Sequence, residues 1–128
     1  MESPSREGVQ TGLSFTLAVR HGAEAVDFYK RAFGARELHR AESPDGNVVV
    51  ELQVGGDRFF VADESVEDGN FSPESLSNRS TVRLAVIVDE PDAVARQAVA
   101  AGAQEIYPSR ISLSITAPFG VYAEKGAR

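Results

Sequence analysis

The sequence AVDFYKRAFGAREL, residues 25–38, combines a helical pattern with a glycine stop and the start of a strand. Val26, Tyr29 and Phe33 recur at helical spacing and form one apolar stripe. Gly34 stands where a helix needs a residue of left-handed backbone conformation in order to end. The stretch therefore predicts a helix that ends at Gly34 and passes directly into a strand.

A second stretch, AVARQAVAAGAQEI at residues 93–106, repeats this design. Both stretches open with Ala-Val, close their helix with Gly-Ala, and continue with Glu and an aliphatic residue. Residues 13–19 and 82–88, which precede the two helices, are rich in strand-forming residues. We therefore predict a tandem duplication of a strand–helix–strands unit, with the function located between the two copies.

The composition is that of a globular protein with a single domain. The 128 residues are 42% hydrophobic and 25% charged, and the chain is long enough to bury a core. The net charge of −6 argues against nucleic acid, whose phosphates require clustered Lys and Arg. Cysteine is absent, which excludes disulfides, thiolate ligands and cysteine nucleophiles. Because no apolar run reaches membrane-spanning length and no signal pattern opens the sequence, we expect a soluble, cytoplasmic protein without a membrane partner.

The strand pattern predicts an α+β fold made of two β-α-β-β-β modules within one domain, residues 1–128. Module one covers about residues 12–63 and contains the turn signals SPDG at 43–46 and GGD at 55–57. Residues 64–80 are acidic and polar, and we interpret them as a linker without structured elements. Module two covers about residues 81–125. The predicted strands are residues 13–19, 36–41, 47–54 and 58–62 in module one, and residues 82–88, 105–108, 111–116 and 121–124 in module two.

The alternation within the strands suggests a cavity. In residues 47–54, every second residue from Val48 to Val54 is apolar, and the other face carries Asn47, Val49, Glu51 and Gln53. A sheet face that simply met water would usually carry more Lys and Glu. We therefore favour a weakly polar concave face that takes a ligand, with a solvated face of small residues as the alternative.

Several motifs together resemble the vicinal oxygen chelate superfamily, which includes glyoxalase I, extradiol dioxygenases, fosfomycin-resistance enzymes and bleomycin-resistance proteins. The sequence VDFYKRAFGA at residues 26–35 is similar to its first-helix signature. Residues 43–46, 55–57 and 88–103 resemble the PhnB-like branch, as does APFG at 117–120, where Ala117 replaces an acid. The resemblance implies two modules that form a U-shaped, partly open mixed sheet around a cavity, and a homodimer.

The resemblance also implies positions for the metal ligands of these enzymes. In this sequence they fall at Ser14, near Phe60, at Arg83 and at Glu124. Only Glu124 is a good ligand, because serine binds weakly, phenylalanine cannot bind, and an arginine repels a cation. One carboxylate does not hold zinc or iron. The sequence therefore predicts no metal and no cofactor, and we expect neither His21 nor His39 to be a ligand.

Arg83 and Glu124 are expected to lie close together and to take the place of the metal. Two interpretations remain open: a structural ion pair, or an arginine that binds a carboxylate or phosphate of a ligand. Tyr122 is expected to face the same cavity. Glu51 faces it too, either as a site residue, as a cross-strand partner of an arginine, or as a solvated residue. The predicted ligand-binding residues are Arg83, Glu124, Tyr122, Phe60, Glu51 and Ser14, with Arg58 as a weaker candidate.

Three functions follow from these expectations. The favoured one is a metal-free protein of the bleomycin-resistance type that sequesters a small, antibiotic-like molecule, with aromatic walls from Phe60, Tyr122 and Phe119. The second is a metal-dependent lyase, isomerase or dioxygenase of the glyoxalase type, or a metal-free enzyme with Glu124 or Glu51 as the base. The third is a structural module without a ligand. No catalytic Ser-His-Asp set, P-loop or Rossmann glycine motif occurs in the sequence.

Overall fold

The computed structural model describes residues 11–77, 79 and 84–104 in full, and residues 112–115 and 121–125 by their backbone. The elements of the first unit are β1 (Thr16–Val19), α1 (Gly22–Phe33), β2 (Arg36–Glu42), β3 (Val48–Val54) and β4 (Asp57–Asp63). The described elements of the second unit are β5 (Leu84–Val88), α2 (Pro91–Ala100), β6 (Ser112–Ile115) and β7 (Val121–Lys125). The strand predicted at residues 105–108 lies outside the described residues.

The described strands form two sheets in which the first strand of each unit lies parallel to the last. The first sheet has the order β1-β4-β3-β2, with β1 parallel to β4 and the other neighbours antiparallel. The second has the order β5-β7-β6 over its described strands, and its first strand is again parallel to its last. The predicted α+β class with an open mixed sheet is confirmed. Neither described helix has the length and apolar character that crossing a bilayer requires.

Helix α1 ends as its sequence predicts. Gly34 has a φ of 67°, a left-handed conformation, and its backbone N–H donates to the carbonyl of Lys30 at 3.0 Å. Pro91 occupies the first turn of α2, where its missing N–H leaves no helical hydrogen bond unmade. Glycine therefore ends α1, and proline stands in the first turn of α2, each at a helix boundary that suits its backbone.

The core lies between the first sheet and the helices. Val48, Val50 and Leu52 of β3 are each no more than 3% exposed, as their alternation predicts. From β4, Phe59 and Val61 join them. Because burying an aliphatic or aromatic side chain stabilises by about 1.5–3 kcal/mol, this face fixes the register of the sheet.

The described residues 64–77 contain more structure than predicted, so the expectation that residues 64–80 have no structured elements is wrong. Two 3-10 helices, Val66–Asp68 and Pro73–Leu76, lie in this segment. The carboxylate of Glu64 accepts the backbone N–H of the buried Ser72 at 2.8 Å and the hydroxyl of Ser75 at 3.0 Å. The side chain of Arg20 donates to the same Ser75 hydroxyl at 2.9 Å. Polar contacts therefore hold the segment against the end of the first sheet.

This contact predicts acid-sensitive stability. The Ser72 N–H and the Ser75 hydroxyl lower the pKa of Glu64 to about 2. Because the pKa is lower in the folded state, the contribution of Glu64 is present above its usual pKa and is lost as the pH falls through the folded value. We expect Glu64→Gln to lower the melting temperature at pH 6, and the difference from wild type to shrink as the pH approaches 2.

Thermal melts of both proteins across this pH range test the prediction. Glu67→Gln, in the same segment, is the matched control and is expected to melt like wild type, because Glu67 is exposed. A Glu64→Gln deficit that persists unchanged at pH 2 would show that the carboxylate charge is not what holds the segment.

Candidate functional site

A cleft of about 1280 Å³ opens between the two units. The first unit lines it with residues 11–15 before β1, the C-terminal part of α1, and the turn between β3 and β4. The second unit lines it with the whole of β5 and with Val94 and Gln97 of α2. The volume is large enough for a drug-sized ligand.

An aromatic wall runs from the surface of the cleft into the core. The ring of Phe15 stacks on Phe59, with centroids 5.7 Å apart and planes inclined by 13°. Tyr29 meets Phe59 edge-on at 5.8 Å and lies 6.3 Å from Phe33. Burial raises the pKa of Tyr29 above its usual range, so this wall carries no charge. Phe15 is 43% exposed, so part of its ring is available to a ligand.

The described charged groups of the cleft are Glu51, Asp57 and Arg58. The Glu51 side chain is 14% exposed, and its Oε1 lies 3.8 Å from Nε2 of His39 on β2. The bulge in β2 sets His39 opposite Glu51. The cross-strand partner of Glu51 is therefore a histidine, where an arginine was the alternative considered.

Two of the predicted ligand-binding residues, Ser14 and Glu51, line the cleft. Phe60 pairs with Thr16 of β1 and with Glu51 of β3, so it belongs to the same sheet face. It is partly buried and does not contribute to the lining. Arg58, the weaker candidate, does line it.

The second unit's candidates are located only by register. Tyr122 pairs with Ala85, and Glu124 pairs with Ile87, both residues of β5 that line the cleft. Arg83 lies outside the described residues, as does Phe119. The proposed contact between Arg83 and Glu124 therefore stays a prediction.

Sequence analysis missed the residues that make up most of the apolar lining. Phe15 was assigned to a strand, but β1 begins one residue later. Ile87 of β5 lines the cleft and is 60% exposed. The strict apolar run of residues 84–88 was the available signal, because apolar residues on both faces of a strand imply something other than water beyond the second face.

The described residues do not fit a divalent metal. No group of three or more His, Asp or Glu side chains among them is arranged to hold an ion. Glu51 and His39 form a pair without a third donor. At the positions that the resemblance gives to ligands in module one, a serine and a phenylalanine stand, and neither suits zinc, manganese or iron.

Comparison with known proteins gives a family match and curated relatives. The family model described as a glyoxalase-like domain matches residues 14–117. A protein of Mycobacterium bovis, named only as uncharacterized, is 33% identical over 99 residues, which are 74% of this chain and 64% of that protein. The chain thus spans less than two thirds of the length of this curated relative.

Solved structures share the fold. A gene product of Arabidopsis thaliana has a TM-score of 0.68 at 29% identity, covering 93% of this chain and 98% of that one. The fosfomycin resistance protein FosX of Listeria monocytogenes, complexed with Mn(II) and sulfate, has a TM-score of 0.69 at 16% identity, covering 93% and 95%. TnmS3, an antibiotic binding protein of Streptomyces, has a TM-score of 0.62 at 15% identity, covering 93% and 98%.

Proposed function

Since this chain belongs to the glyoxalase-like domain family, within the vicinal oxygen chelate superfamily, we propose that it binds a small, antibiotic-like molecule in its cleft without a metal. The observation that carries the proposal is the cleft between the units, whose wall joins Phe15 and Phe59 of the first unit to the aliphatic strand β5 of the second. Apolar walls with few polar groups are typical of sites that bind drug-sized molecules.

The residues at the two expected metal-ligand positions of module one support the metal-free form of the proposal. Ser14 reaches the cleft but is a weak neutral ligand, and Phe60 has no donor atom. TnmS3 offers a precedent for antibiotic binding on this fold. We further propose a homodimer of the PhnB-like branch, in which Arg83, Tyr122 and Glu124 complete the cleft from the second unit.

FosX favours a second candidate, because a protein of the same fold is described with Mn(II). In that case the chain is a metal-dependent enzyme of the glyoxalase, lyase or dioxygenase type that acts on small oxygenated substrates. Glu124 would then be one ligand, and the others would come from residues that the resemblance does not assign.

Thermal shift measurements separate the two functions. We expect bleomycin, as an antibiotic probe, to raise the melting temperature of the purified protein, and Zn²⁺, Ni²⁺ and Mn²⁺ to leave it unchanged. A ligand at about one hundred times its Kd stabilises a protein by about 2.7 kcal/mol, which is a shift of several degrees. Elemental analysis of the same preparation is expected to find metal far below one ion per chain.

The variant Ile87→Glu places a charge in the apolar wall of the cleft and is expected to abolish the bleomycin shift. Val66→Glu is its matched control, since Val66 is 57% exposed and lies outside the cleft. Stoichiometric metal in the purified protein, or stabilisation by metal alone, would overturn the proposal in favour of the enzyme.

A further inference from the structure

Four side chains form a block on the face of the first sheet that is turned away from the core. Glu51 and Gln53 of β3 lie directly opposite Phe60 and Arg58 of β4, in that order. The residues that alternate with them on both strands belong to the core. The two charged members, Glu51 and Arg58, stand diagonally across the block, and such neighbours lie about 7–8 Å apart. Both of them line the cleft.

The carboxylate of Glu51 is mostly covered and lacks a hydrogen-bond donor. Its side chain is 14% exposed, and within the described part of the chain no N–H or O–H group donates to it. Nε2 of His39 lies 3.8 Å from Oε1 of Glu51, which is too long for a hydrogen bond, and the imidazole is itself 80% exposed. Because a covered charge requires a partner, this carboxylate is suited to a donor that a ligand brings into the cleft.

Arg58 and Gln53 supply donors on the other side of the block. Arg58 is exposed, and no acceptor among the described residues bonds to its guanidinium, Glu51 included. Asp57 is adjacent in sequence but alternates to the opposite face of β4. Arg36 of β2 donates to Oε1 of Gln53 at 3.0 Å, so the amide NH₂ is the group of Gln53 that is left to donate. An arginine fork beside an amide NH₂ suits a carboxylate, whose two oxygens accept several hydrogen bonds.

We infer that the ligand of the cleft is a zwitterion of the α-amino acid type with an apolar side chain. Its ammonium group donates to Glu51, and its carboxylate accepts from Arg58 and Gln53. Since both charged groups of an α-amino acid are attached to one carbon, they fit between two opposite charges that are neighbours but do not bond to each other. The apolar group contacts Phe60, which is partly buried on the same face and directly opposite Glu51. This inference rests on the proposed function and names the chemical class of its ligand.

The test compares L-phenylalanine with two analogues that keep the ring and lose one charge. The analogue 3-phenylpropionate lacks the ammonium group, and phenethylamine lacks the carboxylate. Isothermal titration calorimetry on the full chain measures the dissociation constant of each probe. We expect L-phenylalanine to bind about tenfold more tightly than either analogue, which is the ratio that one hydrogen bond to a charged group supplies.

Two variants assign the charged groups of the probe to their partners. Glu51→Gln is expected to remove the preference for L-phenylalanine over 3-phenylpropionate and to keep its preference over phenethylamine. Arg58→Gln is expected to do the reverse, because it removes the partner of the carboxylate and leaves that of the ammonium group. A general loss of structure would weaken all three probes together and would not produce this crossed pattern.

Glu67→Gln and Arg31→Gln are the matched controls and are expected to keep both preferences, since neither residue lines the cleft. Equal binding of the three probes, binding of none of them, or preferences that survive both Glu51→Gln and Arg58→Gln would overturn the inference. A bleomycin shift without any preference among the three probes would overturn this inference alone. Stoichiometric metal in the purified protein would overturn the proposed function, whichever probe binds.

Discussion

Replacing Gly22 with alanine is expected to lower the free energy of unfolding by about 2–4 kcal/mol. A Cβ atom at Gly22 would lie 2.7 Å from Oδ2 of Asp63 and 2.7 Å from Cγ2 of Val48. Asp63 cannot give way at low cost, because its carboxylate accepts the backbone N–H groups of Gly22 and Val48, both at 2.7 Å. Val48 is itself buried in the core. The gain in helix propensity from alanine is below about 1 kcal/mol and does not offset this clash.

The matched control is Gly56→Ala in the turn between β3 and β4. A Cβ atom at Gly56 would meet nothing within 4 Å, and its φ is not positive. We expect a change within about 0.5 kcal/mol at this position. Urea denaturation of wild type and both variants measures the two effects. If Gly22→Ala were as stable as Gly56→Ala, the contact between the start of α1 and Asp63 would be looser than described.

Those parts of the fold that depend on local signals could be predicted from the sequence. The burial of Val48, Val50 and Leu52 follows from strand alternation alone, and the end of α1 follows from one glycine in left-handed conformation. The order of the strands in the first sheet was not predicted, because the pairing of β1 with β4 joins residues that are distant in the sequence. The segment at residues 64–77 could not be predicted, because its structure depends on contacts between distant residues, such as Arg20 and Ser75.

The candidate site depended on tertiary placement and was predicted only in part. Glu51 was found because it alternates with core residues on β3, and Ser14 was found only through the family resemblance. Phe15 was not among the predicted site residues, yet it lines the cleft, is 43% exposed and stacks on Phe59. The wall formed by β5 depends on how the two sheets face each other, and no local sequence pattern encodes the distance between the sheets.

Phe28→Ala is expected to destabilise the protein by about 3–5 kcal/mol. The helical stripe in the sequence consists of Val26, Tyr29 and Phe33, and it left Phe28 out. In the structure Phe28 is 1% exposed and meets Tyr29 and Phe33 edge-on, with centroids 5.3 Å and 6.0 Å away. Truncation removes this ring and leaves a cavity between the helix and the sheet, because packed neighbours relax only partly.

Alanine variants of two other phenylalanines serve as the comparison for Phe28→Ala. Phe33 is only partly buried beside the core, so Phe33→Ala is expected to cost clearly less than Phe28→Ala. Phe71 is 41% exposed, and Phe71→Ala is expected to cost least. Chemical denaturation of the three variants gives the ranking, with circular dichroism to confirm that each one folds. A larger loss for Phe33 than for Phe28 would mean that Phe33, and not Phe28, is the more deeply packed of the two rings.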